Sequence, residues 1–134
     1  MSLKPTKLNL YIGGFTGPSF SLDLKQDELI YTASHMGAED NTATITPTDA
    51  DWQAFIETMD HLDVWSWKKS YAILDVCDGT QWSVRIRYGN RLVQSEGSNA
   101  YPSRSGETDD PSKGDIFDLF LCAVRKLIGG RAFQ

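Results

Sequence analysis

Acid/base catalysis needs a proton donor and a proton acceptor that meet, and this chain offers few candidates. It has two histidines, His35 and His61. His35 falls in a stretch without hydrophobic period, 33–41, which reads as a loop. The carboxylate that best suits it is Asp75. If Asp78-Gly79 makes a two-residue turn, Asp75 lies across from Trp82, on the face expected to be core. A carboxylate partly buried there is held protonated to higher pH and can act as a general acid, with His35 as companion base. A hydrolase or transferase built on His35 and Asp75 is therefore one reading.

Metal chemistry has less support. Neither histidine has a His, Cys or carboxylate partner at ligand spacing, so no metal site and no cofactor is expected. Asp109-Asp110-Pro-Ser-Lys-Gly-Asp115 lacks the alternating carboxylates and closing Glu of a calcium loop, and reads as a solvated loop running into a helix cap. Gly13-Gly14-Phe15-Thr16-Gly17 has the glycines of an anion nest but no following helix to lend its dipole, and a tight turn explains it with less.

Two constellations suit binding better than catalysis. Ser95-Glu-Gly-Ser-Asn-Ala-Tyr-Pro-Ser-Arg104 places Ser95, Asn99 and Arg104 as hydrogen-bonding groups around Tyr101, a flat apolar platform, which is the mix of a recognition loop. Its structural alternative is a turn fixed by Asn99 and a core end plugged by Tyr101. The second is Trp65-Ser-Trp67-Lys68-Lys69. In extended chain Trp65 and Trp67 face the same way, and with Arg85 and Arg87 nearby they suit stacking on bases, sugars or a partner's side chains. The competing account is that at least one tryptophan closes the core.

These residues need elements to hold them. Leu8, Leu10 and Ile12 alternate with polar neighbours, as do Phe20, Leu22 and Leu24, and Leu29 to Thr32 follows a polar tip, so an antiparallel meander opens the chain. Pro47-Thr48 then starts a helix, with Thr48 and Asp51 spaced for a capping box and Trp52, Phe55, Ile56, Met59 and Leu62 forming its apolar stripe. Tyr71 to Cys77 and Trp82 to Tyr88 predict a hairpin, and Leu92-Val93 a further strand. A polar stretch, 95–113, leads to a second helix. Its cap is Ser112, its broad stripe runs from Ile116 to Ile128, and Gly129-Gly130 stops it.

The expected fold is thus α+β: an antiparallel meander sheet with two amphipathic helices packed on one face, in a single domain over 1–134. The halves look alike. Phe20-Ser-Leu-Asp-Leu parallels Trp82-Ser-Val-Arg-Ile, and Pro47-Thr48-x-x-Asp51 parallels Pro111-Ser112-x-x-Asp115, which suggests pseudo-symmetric βββα units at 8–63 and 71–128.

Thirteen basic and 18 acidic side chains in 134 residues give a net charge of -5, which argues against a general nucleic-acid or acidic-membrane binder. That charge is uneven. Residues 1–67 hold three basic and ten acidic groups, net -7, whereas 68–134 hold ten and eight, net +2. The two cysteines, Cys77 and Cys122, sit among apolar neighbours and read as reduced. No apolar run reaches the length of a membrane span and the first residues lack a leader's apolar core, so a cytoplasmic setting is expected.

The reading favoured is a small non-catalytic binding or protein-interaction module using Ser95, Asn99, Tyr101, Arg104, His35, Trp65 and Trp67, with a protein or small-molecule partner. A homodimer through an open sheet face is a further possibility. The alternatives are the His35/Asp75 enzyme and single-stranded nucleic-acid binding through Trp65, Trp67, Arg85 and Arg87.

Overall fold

The computed structural model describes residues 4–14, 17–35, 39–72, 80–102 and 114–134, with side chains from 116 onward in the last segment. The elements run β1 (Lys7–Gly14), β2 (Ser19–Lys25), β3 (Glu28–Ser34), β4 (Asn41–Ile45), α1 (Asp49–Leu62), a 3-10 turn (Val64–Ser66), β5 (Ser70–Ala72), β6 (Thr80–Tyr88), β7 (Arg91–Ser98) and α2 (Gly114–Leu127). The strands make one seven-stranded sheet in the order β4-β3-β2-β1-β6-β7-β5. Every pairing is antiparallel except β5 with β7. This is the expected α+β class. Among the described residues no helix is long and apolar enough to cross a membrane.

Alternation decides which face is covered. Leu8, Leu10 and Ile12 on β1 are buried with Leu22 on β2 and Val84 and Ile86 on β6, and they join the stripes of both helices in one core cluster. The residues between them stay on the other face, so the helices cover one side of the sheet only. Helix α1 begins as its sequence dictates. The Asp51 amide donates to the Thr48 hydroxyl at 3.1 Å, and the Thr48 amide donates back to the Asp51 carboxylate at 3.0 Å. Beyond α2, Gly129 and Gly130 take positive φ of 75° and 87°, and the Gly130 amide closes the last turn onto the Arg125 carbonyl at 2.7 Å.

Six rings, Trp67, Tyr71, Trp82, Tyr101, Phe117 and Phe120, pack with centroids 4.9–6.5 Å apart at the β5/β7 end of the core. Trp82 is central, and its indole N–H donates to the Ala100 carbonyl at 2.9 Å. The segment past α2 is pinned at the other end, where Phe133 packs 6.0 Å from Phe20 and the buried Tyr31 hydroxyl donates to the Ala132 carbonyl at 2.6 Å.

Burial raises the Tyr31 pKa above its ordinary 10.0, and the nearby Arg131 charge offsets part of the rise. A raised phenol pKa favours the folded state below the unfolded value, and that contribution fades as pH climbs through the folded one. Melting temperature should therefore fall more steeply above pH 10 in the parent than in Tyr31→Phe, which itself costs about 1 kcal/mol at neutral pH by losing one hydrogen bond. Parallel alkaline slopes in calorimetry would discount the contact.

Several expectations need correction. Gly13 and Gly14 are the last residues of β1 and, rather than lying in a turn, pair with Gln81 and Thr80 in the sheet. Tyr11 accounts for Gly13, because its hydroxyl lies 2.6 Å from where a Gly13 Cβ would stand. The hairpin of 71–77 with 82–88 does not form: β6 has β1 along one edge and β7 along the other, so Trp82 faces Ile12 and Gly97. Ser70–Ala72 instead lies on the far side of β7 and runs parallel to it. Asp75 lies outside the described residues, as do Cys77, Arg104, Ser112 and the acidic stretch from Asp109 to Asp110.

The proposed repeat meets the same difficulty. β1 lies beside β2, whereas its counterpart β5 lies beside β7 and not β6, so the halves have different strand orders. Matching strand and cap spellings here reflect shared local physics.

Candidate functional site

The helix-free face is lined mostly by polar side chains, with Ile30 and Leu92 among them. One row crosses the sheet as Thr42, Thr32, Ser21, Tyr11, Ser83 and Glu96, and the next as Thr44, Ile30, Asp23, Asn9, Arg85 and Gln94. Tyr11 is the large exposed ring among them, 40% accessible. Its phenol end reaches along β1 over Gly13, which leaves room for it.

Two depressions adjoin on this face over β1, β6, β7 and β5. The first, 390 Å³, is bordered by Tyr11, Ser70, Gln81, Ser83, Glu96 and Ser98. The second, 360 Å³, is bordered by Asn9, Lys69, Ser83, Arg85, Gln94 and Glu96. Ser83 and Glu96 belong to both, so the two form one trough. Arg85, Lys69 and Glu96 have no side-chain partner among the described residues, whereas Lys4 is paired with Asp27 and Arg91 with Asp60. A smaller groove of 130 Å³ separates α1 from α2.

The residues singled out from the sequence fall in different places. Ser95 is buried, and its hydroxyl donates to the Lys68 carbonyl at 2.5 Å, tying β7 to the segment that enters β5. Tyr101 is buried, stacked against Trp82 and packed on Phe117. Asn99 takes a positive φ of 60°, and its amide donates to the Thr80 carbonyl at 2.9 Å, so it fixes the turn out of β7. His35 is exposed just past β3, two sheet positions from β1 at the near edge of the trough and four, about 19 Å of sheet, from Glu96 on β7.

Trp65 and Trp67 do not face the same way. Asp63 takes a left-handed φ of 53°, and the chain coils into a 3-10 turn in place of an extended run. Trp67 enters the aromatic core, under the sheet face opposite to that of Arg85, so the two cannot form one stacking surface. Trp65 stays half-buried outside. Its indole N–H donates to Asp60 at 2.8 Å, and Arg91 donates to the same carboxylate at 2.6 Å with its guanidinium 5.1 Å from the Trp65 ring. This group clips the β6–β7 hairpin to α1 and satisfies its own polar atoms. Asp60→Ala should cost about 1 kcal/mol and change Trp65 fluorescence, and an unchanged emission spectrum would show that the clip is absent in solution.

Of the trough's side chains the sequence singled out Lys69 and Arg85, as neighbours of the tryptophans, and for the others alternation was the signal. Asn9, Tyr11, Ser83 and Arg85 are the polar positions of strands whose other positions are plainly core. Among the described residues no group of three or more His, Cys, Asp or Glu gathers to hold a metal. No protein-family model matches the chain, and neither does any curated protein.

Proposed function

We propose that this chain is a non-catalytic binding module whose binding surface is the helix-free face of its sheet, at the trough between Tyr11 and Lys69. The observation that carries the reading is a set of three charges, Arg85, Lys69 and Glu96, that have no side-chain partner among the described residues and stand around two joined depressions. Elsewhere on the surface Lys4 pairs with Asp27 and Arg91 with Asp60. Charged groups held at the rim of a preformed hollow supply orientation to a ligand at little ordering cost. Catalysis is disfavoured by distance, since His35 is remote from Glu96 and no nucleophile, base and orienter converge among the described residues. A cytoplasmic setting belongs to the same reading, supported by the free thiol of Cys122.

The test is a fragment screen followed by backbone-amide chemical shifts. Binders should perturb Ser83, Arg85, Glu96 and Ser98 together. Perturbations confined to the α1–α2 groove, or hydrolase activity abolished by His35→Ala, would remove the proposal.

A further inference from the structure

We infer that the trough takes a short saccharide bearing one carboxylate, with a sugar ring against Tyr11 and the carboxylate between Arg85 and Lys69. This rests on the trough being the binding surface. The class of ligand follows from the chemistry of the two depressions taken separately.

The first depression offers an exposed ring, Tyr11, beside three hydroxyls, Ser70, Ser83 and Ser98, and the amide of Gln81. A pyranose has the complementary surfaces: an apolar C–H face for the ring, and hydroxyls that both donate and accept at its rim. Serine and glutamine match that dual character, because each side chain also donates and accepts.

The second depression carries the charge. Arg85 on β6 and Lys69 before β5 stand on either side of β7, with Glu96 between the two hollows. These three groups, without side-chain partners among the described residues, sum to one positive charge, which a single carboxylate balances. Arg85 can take it through two parallel N–H bonds, and Lys69 adds a point charge. Glu96, at the junction, accepts from sugar hydroxyls and repels a second anionic group. That repulsion argues against a phosphodiester chain, whose charges recur at every step.

Spacing fits two rings. Gln81, which borders only the first hollow, and Arg85, which borders only the second, lie four residues apart on β6, about 13 Å along the strand. This is the order of the length of a disaccharide, whose two rings then span the trough.

Titration of the whole protein with an aldobiouronate, a disaccharide with one glucuronate, tests the inference, with cellobiose as its neutral counterpart and uridine monophosphate as the nucleotide. The aldobiouronate should shift the Ser83, Glu96 and Ser98 amides saturably and bind roughly tenfold tighter than cellobiose. Arg85→Ala and Tyr11→Ala should each weaken it roughly tenfold while leaving the remaining amide spectrum intact.

Equal binding of cellobiose overturns the carboxylate, and tighter binding of uridine monophosphate overturns the sugar. A trough closed by a second copy, seen as a dimer in sedimentation that Tyr11→Ala dissolves, overturns both. If no saccharide binds while fragments still map to the trough, the inference fails and the binding surface stands; if nothing maps there, both fail.

Discussion

Replacing Gly97 with alanine is expected to lower the unfolding free energy by about 3 kcal/mol, the upper end of what one added methyl costs in a packed site. Gly97 faces the core between Trp82 and Tyr71 in the sheet register. A Cβ on it would stand 2.2 Å from the Trp82 indole nitrogen and 2.6 Å from the Ala100 carbonyl oxygen. The indole cannot move aside cheaply, because its N–H is bonded to that same carbonyl and its ring lies 4.9 Å from Phe117. Backbone must shift. Trp82→Phe alone should cost about 2 kcal/mol by emptying space and orphaning the carbonyl. In the Trp82→Phe background Gly97→Ala should cost less, because only the clash with the Ala100 carbonyl remains, a coupling of more than about 1 kcal/mol in a double-mutant cycle. Urea denaturation followed by circular dichroism measures all four corners, and additive effects would show that the indole does not determine the glycine.

Phe133→Ala is the second large effect, at about 3–4 kcal/mol. Phe133 is 1% exposed and packs on Phe20, after two glycines have turned the chain back under the sheet. The Tyr31 hydroxyl and the Arg125 guanidinium hold the carbonyls of Ala132 and Phe133. Deleting the ring opens a cavity lined by side chains that are themselves anchored and cannot collapse into it. Differential scanning calorimetry should show a fall in melting temperature of roughly 10 °C. Phe133→Leu should recover most of it, and a Phe133→Ala variant melting within a degree or two of the parent would show that the segment is not docked.

Both sites lie where the sequence was hard to read, and for one physical reason. Alternation of apolar and polar residues exposed β1, β2, β3 and β6, and the Thr48–Asp51 spacing located the start of α1 to the residue. It failed along β7, whose inward positions are Val93, Ser95 and Gly97. Small residues stand there because Trp82 and Tyr71 occupy the space, so hydropathy fades although the strand runs on to Ser98. Ser95 and Tyr101 then read as a polar recognition loop when they are core fastenings. Strand order was equally hidden. Asp78-Gly79 is a good local turn signal, but local chemistry cannot say that both edges of β6 are claimed by β1 and β7. The trough was half legible: its residues are the polar half of each alternation, and only the register brings Tyr11, Arg85 and Glu96 together.

The central place of β1 has a consequence for the order of assembly. Its residues pair on one side with β2, a few positions away, and on the other with β6, more than sixty positions later. As the chain leaves the ribosome, the first four strands can zip up locally, but β1 then presents a bare hydrogen-bonding edge until β6 has been made. Nothing charged on its inward side guards that edge: Leu8, Leu10 and Ile12 flank it. The interval between the synthesis of β1 and that of β6 is the vulnerable stage in this protein's life. Conditions that lengthen it, such as slow translation across 49–79, should favour strand-to-strand aggregation over folding.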